Sequence, residues 1–359
     1  MFLEQQSPFG LAPEDKTRYL SLQLAELLEH HRARCPGYAR LVADWQRYSV
    51  DGATMVEQYP FVPVTLFKEY DLRSSDEPGM TVRSSATTAA ATSRIFIDKP
   101  TKRRQSLSAN RILSDFIGAT PRPYLVFDVE STVRGHDSLS ARGAAILSLS
   151  HLATDFYFVM KHGADGGLVL DRQALDRALD AVGKGPFMAY GFTYILFQVH
   201  QELASIHGLP KAHSDSVLLH SGGWKRMTSL MVEKPEFNRA IAQVWELPPT
   251  QVVDFYGSVE QIGMPYPDCT EGFKHVPYWA DVIVRSADTL TPAAPGGRGL
   301  MQLVNCLPLS SPNHSVLTED MGEIVVEDGC GCGRRGKAFI FHGRAPRAEI
   351  RGCSDVARG

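Results

Sequence analysis

The chain has 359 residues, of which 43% are hydrophobic and 21% charged, with a formal net charge of −3. That length buries one large core or two smaller ones, and the charge gives no electrostatic case for nucleic acid or an anionic membrane surface. Six cysteines in so long a chain are no disulfide framework, and no apolar run reaches membrane length, so a cytoplasmic protein with no membrane span is expected.

The opening Met1-Phe2-Leu3-Glu4-Gln5-Gln6 lacks a signal peptide's basic start and apolar middle. Pro13-Glu14-Asp15 begins a predicted helix, with proline in its first turn and acids at the positive end of its dipole. Leu20, Leu24, Leu27 and Leu28 recur at helical spacing, and Cys35-Pro36-Gly37 stops the run. Phe61 to Lys68 is apolar but too broken by proline for a central strand. Residues 83 to 94 are mostly Ser, Thr and Ala, and cannot build a core. They read as a mobile surface loop or, with Arg83 and Arg94 flanking the hydroxyls, as a polyphosphate holder. Ile95 to Asp98 reads as a strand.

From Pro123 to Val253 strands and helices alternate, which argues α/β architecture with at least part of the sheet parallel. Strands are predicted at Tyr124–Asp128, Phe156–Met160, Phe187–Tyr190 and Ser216–Leu219. Helices are predicted over Leu170–Val182, over Thr193–His207, and from Pro235 toward Trp245. Gly222-Gly223 follows a strand, either as a plain tight turn or as a place where a ligand approaches the backbone. The run Pro248–Val253 reads as a strand emptying into the loop Asp254-Phe-Tyr-Gly-Ser-Val-Glu-Gln261, where Gly257 permits a sharp turn. Tyr256 offers a flat ring there and Glu260 a carboxylate. A ring to stack a base and a carboxylate to hold a metal, at a strand's carboxyl end, suggest a magnesium-nucleotide site. Beyond residue 262 come short strands at Ala280–Val284, Leu300–Val304, Glu323–Val326 and Ala338–Phe341, a β-rich subdomain. Within it Leu317-Thr318-Glu319-Asp320 is acidic beside a predicted turn at Met321-Gly322.

Three windows now stand in order: the hydroxyl-rich loop Ser84–Ser93, the turn Tyr256–Glu260, and Thr318-Glu319-Asp320 followed by Gly343-Arg344. That order resembles the core motifs of the adenylate-forming superfamily. From Ser7-Pro8-Phe9-Gly10 onward the chain more closely resembles the LuxE-type acyl-protein synthetases, the long-chain-fatty-acid–protein ligases. Pro63–Lys68, Gly191-Phe192-Thr193, Gly222-Gly223-Trp224-Lys225 and Ala348–Ser354 carry that likeness. It implies an ATP-dependent ligase with an adenylate-forming large domain, built on a mixed or parallel sheet, and a C-terminal β-rich subdomain. The implied division is a helical lead-in over 1–60, an adenylation core over 61–261, a β-rich subdomain over 262–343, and a hinge-like tail over 344–359.

The resemblance also implies roles. Ser84, Ser85, Thr87 and Thr88 would grip the ATP phosphates. Gly222, Gly223, Tyr256 and Gly257 would form the adenine site, Asp320 would bind the ribose, and Gly343-Arg344 would be the hinge, with Arg344 on the nucleotide. Glu260 would hold Mg²⁺, Gly191, Phe192 and Thr193 would wall the acyl pocket, and Lys225 would join Glu260 and Cys353 as a catalytic residue. The family lacks a lid domain and accepts the acyl group on a near-terminal cysteine, which Cys353 matches; fifteen residues follow Arg344 here. The acyl group would then pass to a partner reductase or acceptor protein. The family's loop has glycines where this chain has Ala86 and Ala89, and a side chain held at positive φ costs roughly 1–2 kcal/mol. Two alternatives therefore remain: loading of a separate carrier thiol, or a non-catalytic scaffold.

Cys269, His275, Cys330 and Cys332 give C-x5-H and C-x-C in glycine-rich turns. Three thiolates and an imidazole would make a closed tetrahedral zinc site, unless the thiols stay free. Related ligases of the phenylacetate-CoA type have a similar structural zinc. Such an ion would tie the loop after Glu260 to the turn before the last strand. Cys35 and Cys306 are expected in the core.

Overall fold

A computed structural model describes residues 7–43, 56–83, 92–134, 138–164, 166–206, 209–224 and 230–345. One six-stranded sheet runs in the order Tyr266–Pro267, Val252–Tyr256, Val217–Ser221, Met188–Phe192, Arg122–Val126, Ala153–Phe158. Only the Tyr266–Pro267 pairing is antiparallel; the other four are parallel. Met188–Phe192 and Val217–Ser221 are buried along their whole length, as strands covered on both faces must be. The helices Thr193–Ala204 and Lys234–Val244 pack on this sheet through Leu196, Phe197, Phe237 and Ile241.

A second sheet runs Lys274–His275, Ala338–Arg344, Ser315–Val326, Arg298–Asn305, Ala280–Arg285. Val62–Pro63 adds a short parallel strand to Ser315–Val326, so the proline-broken segment does sit at a sheet margin. The first helix, Pro13–Arg34, has proline in its first turn, Glu14 and Asp15 beside it, and basic residues in its last turn. It buries Leu20, Leu24 and Leu27 in the core of this second sheet, and Cys35 caps it where expected. Cys35 and Cys306 are buried. A smaller sheet pairs Gly79–Arg83 with Arg94–Asp98 and with Ser138–Ser140. No helix among the described residues is long and apolar enough to cross a membrane.

Several expectations change. The strand placed at Pro248–Val253 is Val252–Tyr256, preceded by a 3-10 turn at Pro249–Gln251. Phe255 and Tyr256 extend the β-prone run of Val252-Val253, so Asp254 and Tyr256 are strand residues and the loop begins at Gly257. Gly257 has no positive φ and is not a forced turn. Phe156–Met160 is not a buried strand: Ala153–Phe158 lies at the sheet edge and is largely exposed. The helix starts at Arg172, because Asp171 accepts from Ala174 N at 3.3 Å, and Leu168–Leu170 is a strand. Met321-Gly322 is no turn: Ser315–Val326 is one strand with a register shift at that point. A Cβ on Gly322 would lie 2.8 Å from Met301 Cγ, so glycine serves close packing there.

Candidate active site

Tyr256 and Asp320 come from different sheets and meet where the parallel strands end. The Tyr256 hydroxyl donates to Asp320 Oδ2 at 2.7 Å, and the ring packs on Phe341 with centroids 4.6 Å apart. Arg344 lies opposite Asp320 in the strand pairing, with Nε 3.9 Å from Oδ1. Burial pushes the Asp320 carboxyl above its usual range; the Tyr256 hydroxyl and Arg344 oppose that, while Glu260 and Glu319 add to it. Burial and the Asp320 charge together raise the Tyr256 phenol well above its ordinary value. Glu260 is 6% exposed and sits in the 3-10 turn Val259–Gln261, close enough for its charge to act on both. Tyr256, Glu260, Asp320 and Arg344 are thus brought together.

The Val217–Ser221 strand pairs Ser221 with Phe192 and His220 with Asp254. Its continuation carries Gly222 and Gly223 toward the level of Tyr256. Both glycines have positive φ, +84° and +60°, a conformation costly for other residues. The Phe192 ring lies 3.3 Å from where a Gly222 Cβ would stand. Thr193 Oγ1 donates to Ser221 O at 3.1 Å, and Tyr190 and Ser221 hydroxyls are 2.8 Å apart. Gly191 allows close packing between the neighbouring strand and the helix, since a Cβ there would stand 2.9 Å from Phe127 Cβ and 3.0 Å from Leu196 Cγ. Gly191, Phe192 and Thr193 therefore adjoin the double-glycine turn. Ser84, Ser85, Thr87, Thr88, Lys225 and Cys353, with Ala86 and Ala89, lie outside the described residues.

Behind these strand ends runs a charged network that no sequence motif announces. Lys274 Nζ donates to Asp254 Oδ2 at 2.9 Å and to Asp268 Oδ1 at 3.1 Å, and Lys234 pairs with Asp268. His220 Nδ1 lies 3.0 Å from Thr193 Oγ1 and 3.7 Å from Asp254 Oδ1. Burial disfavours the Asp254 charge, yet Lys274 and its neighbours hold that carboxyl down at about 2. A histidine and an aspartate closing otherwise apolar strand runs were the available signal.

The four predicted metal ligands converge. Cys269 Sγ, a His275 ring nitrogen, Cys330 Sγ and Cys332 Sγ all lie within 4.8 Å of one another. The pairing of His275 with Ala338 brings His275 beside the last strand, and Cys332 Sγ is 3.2 Å from His275 Nε2. Burial pushes the Cys269 thiol up to about 12 and the His275 imidazole down to about 4. Burial would raise Cys332 too, but hydrogen bonds from Arg334 and the neighbouring cysteines bring it below its ordinary value. Thiolates bound tetrahedrally to one zinc stand about 3.8 Å apart, so this set needs only a small contraction to fit the ion.

The LuxE acyl-protein synthetase family model matches residues 2–358. The long-chain-fatty-acid–luciferin-component ligase of Vibrio harveyi is 27% identical over 141 residues, 39% of this chain. That match spans 36% of the relative's own length. Among solved structures, 2-hydroxyisobutyryl-CoA ligase in an open conformation with 2-HIB-AMP and CoA superposes with a TM-score of 0.69. It is 15% identical, over 96% of this chain and 82% of that one. The same ligase in its postadenylation state gives 0.70 at 15% identity, over 96% and 74%. At that identity the likeness is one of fold alone.

Proposed function

This chain belongs to the LuxE acyl-protein synthetase family, and we propose from that premise that it activates a fatty acid with ATP and holds the acyl group on Cys353 for a partner protein. The observation that supports the reading best is the convergence of Tyr256, Glu260, Asp320 and Arg344 at the strand ends. In this reading Asp320 and Tyr256 seat the nucleoside, the Gly222-Gly223 turn borders the base, and Gly191, Phe192 and Thr193 wall the acyl chain. Ser84, Ser85, Thr87 and Thr88 take the phosphates, and Lys225 joins Glu260 and Cys353 as a catalytic residue. The acid's carboxylate oxygen attacks the α-phosphorus, the bond to the bridging oxygen breaks, and pyrophosphate leaves. The Cys353 thiolate then attacks the acyl carbon, and AMP departs with the electron pair of the C–O bond. Positioning and charge neutralisation are the protein's main contributions. Mg²⁺ held at Glu260 would supply part of that neutralisation.

The Cys269, His275, Cys330 and Cys332 set is assigned to one structural zinc, because its donor types and spacing suit a closed site. Thiol ligands fit a reducing cytoplasm.

The test is acid-dependent ATP–pyrophosphate exchange over a panel of carboxylic acids, followed by labelling with acid and ATP. Exchange with long-chain acids is expected, together with a hydroxylamine-sensitive protein label that Cys353→Ser abolishes while exchange persists. A protein that neither exchanges nor binds ATP would leave the scaffold reading. Label persisting on Cys353→Ser would place the acceptor elsewhere.

A further inference from the structure

The connection Cys306–His314, between the strands Arg298–Asn305 and Ser315–Val326, is buried at every residue but Leu309. Connections normally run over the surface, because buried backbone polar groups need partners. Here the partners include the strand Arg94–Asp98 and the turn that carries Glu260. Ser310 and Ser311 hydroxyls both donate to Phe96 O, at 2.8 and 3.0 Å, gripping the strand Arg94–Asp98. Asn313 Nδ2 donates to Glu260 O at 2.6 Å, and Gln261 Nε2 donates back to Asn313 O at 2.7 Å. Asn305 Nδ2 donates to Gln261 Oε1, while Asn305 Oδ1 accepts from Leu307 N at 2.8 Å. Gln261, Asn305 and Asn313 are each at most 2% exposed.

We infer that this buried connection is a positioning element for adenylation, acting on Glu260 through Asn313 and Gln261. The inference rests on the proposed role of Glu260 as the magnesium ligand. A single 3-10 turn does not fix a carboxylate by itself, and the Val259–Gln261 turn is held from outside by amides that contact its backbone and its last side chain. The same connection leads directly into the strand carrying Asp320, so it sets the spacing between the metal carboxylate and the ribose carboxylate. Buried amides left without partners are costly, and a network with every member satisfied permits one arrangement. Displacing a reacting group by about 1 Å costs on the order of 10²-fold in rate.

The experiment measures ATP–pyrophosphate exchange against Mg²⁺ concentration for the full chain, Asn313→Ala and the volume-preserving Gln261→Met, with melting temperature in parallel. Both variants are expected to require at least about ten-fold more Mg²⁺ for half-maximal exchange, and to lose about 10- to 100-fold in maximal rate, with the KM for the acid unchanged. A lower melting temperature with an unchanged Mg²⁺ midpoint and rate per folded molecule would show a merely structural role and overturn the inference. Should Asn313→Ala fail to fold, Gln261→Met is read alone by the same criteria. Parent protein that exchanges, with variants that match it, sinks this inference only. Parent protein that neither exchanges nor binds Mg·ATP by calorimetry sinks the proposed function and this inference together.

Discussion

Lys274 joins Asp254, on the strand Val252–Tyr256, to Asp268, just past Tyr266–Pro267, while only 4% of its side chain is exposed. Burial works against its charge, but Asp254 and Asp268 hold the ammonium pKa above its ordinary value. Such a pair is weak evidence of net stability, yet removing one partner leaves an uncompensated buried charge and costs about 3–5 kcal/mol. Lys274→Met should lower the unfolding free energy by about that amount at pH 7, measured by urea titration. A loss below about 1 kcal/mol would mean that Lys234 or solvent compensates Asp254. The residue types at this place were visible in the sequence, but their meeting was not. The sequence pattern puts Asp254 at the start of a loop, whereas the strand carries it inward, two positions before Tyr256 and on the same face.

Elements with strong apolar periodicity were legible, and those held by caps and distant partners were not. A helix begins at Thr193 as Ile195, Leu196, Val199 and Leu203 predict, and it ends at Ala204, short of the expected His207. The 19-residue helix Lys99–Ile117 has no counterpart among the sequence expectations. Its start is capped by Asp98 accepting from Thr101 N at 2.9 Å, and its first half is basic and polar, with little apolar spacing to read. The metal ligands were legible as types and as two clusters. Their convergence depends on the antiparallel pairing of Lys274–His275 with Ala338–Arg344, which no local pattern announces. That pairing is where an ion would act, by holding a two-residue strand that is too short to be stable alone. Protein purified without added zinc should therefore contain close to one metal per chain. Chelation should lower the melting temperature, because site binding energy is folding energy. Metal-free protein whose melting is indifferent to chelator would leave the cluster as thiols hydrogen-bonded to an imidazole.

At the scale of the molecule, the α/β alternation followed by short strands announced two sheets, but not that the first helix and Val62–Pro63 would join the second. Closing that assembly buries histidines, and their protonation makes its stability depend on pH. His200 is the clearest case. Its Nδ1 lies 2.7 Å from Leu196 O and its Nε2 accepts from Trp245 Nε1 at 2.8 Å, so Nδ1 carries the proton and the ring is neutral. Burial lowers its pKa from 6.5 to about 4; burial likewise takes His220 to about 4 and His314 to about 3. The unfolded chain takes up these protons first as pH falls, so the stability they contribute is full above pH 6.5 and is lost between 6.5 and about 4 for His200 and His220, and down to about 3 for His314. The loss is at most about 3 kcal/mol for His200 and for His220, and about 5 kcal/mol for His314. Asp254, lowered from 3.8 to about 2, withdraws its stability only below 3.8, beneath the window of His200 and His220. Asp320, with its pKa raised, acts in the opposite sense and gains stability as pH falls through its titration. Urea unfolding between pH 7.5 and 4.5 should show falling stability on the acid side of 6.5, and His200→Gln should lessen the slope there by up to about 1.4 kcal/mol per pH unit. The substitution removes the group that must stay neutral and keeps an acceptor for Trp245. An identical slope in parent and variant would mean that His200 titrates alike in both states, and that the Trp245 contact does not hold the ring neutral.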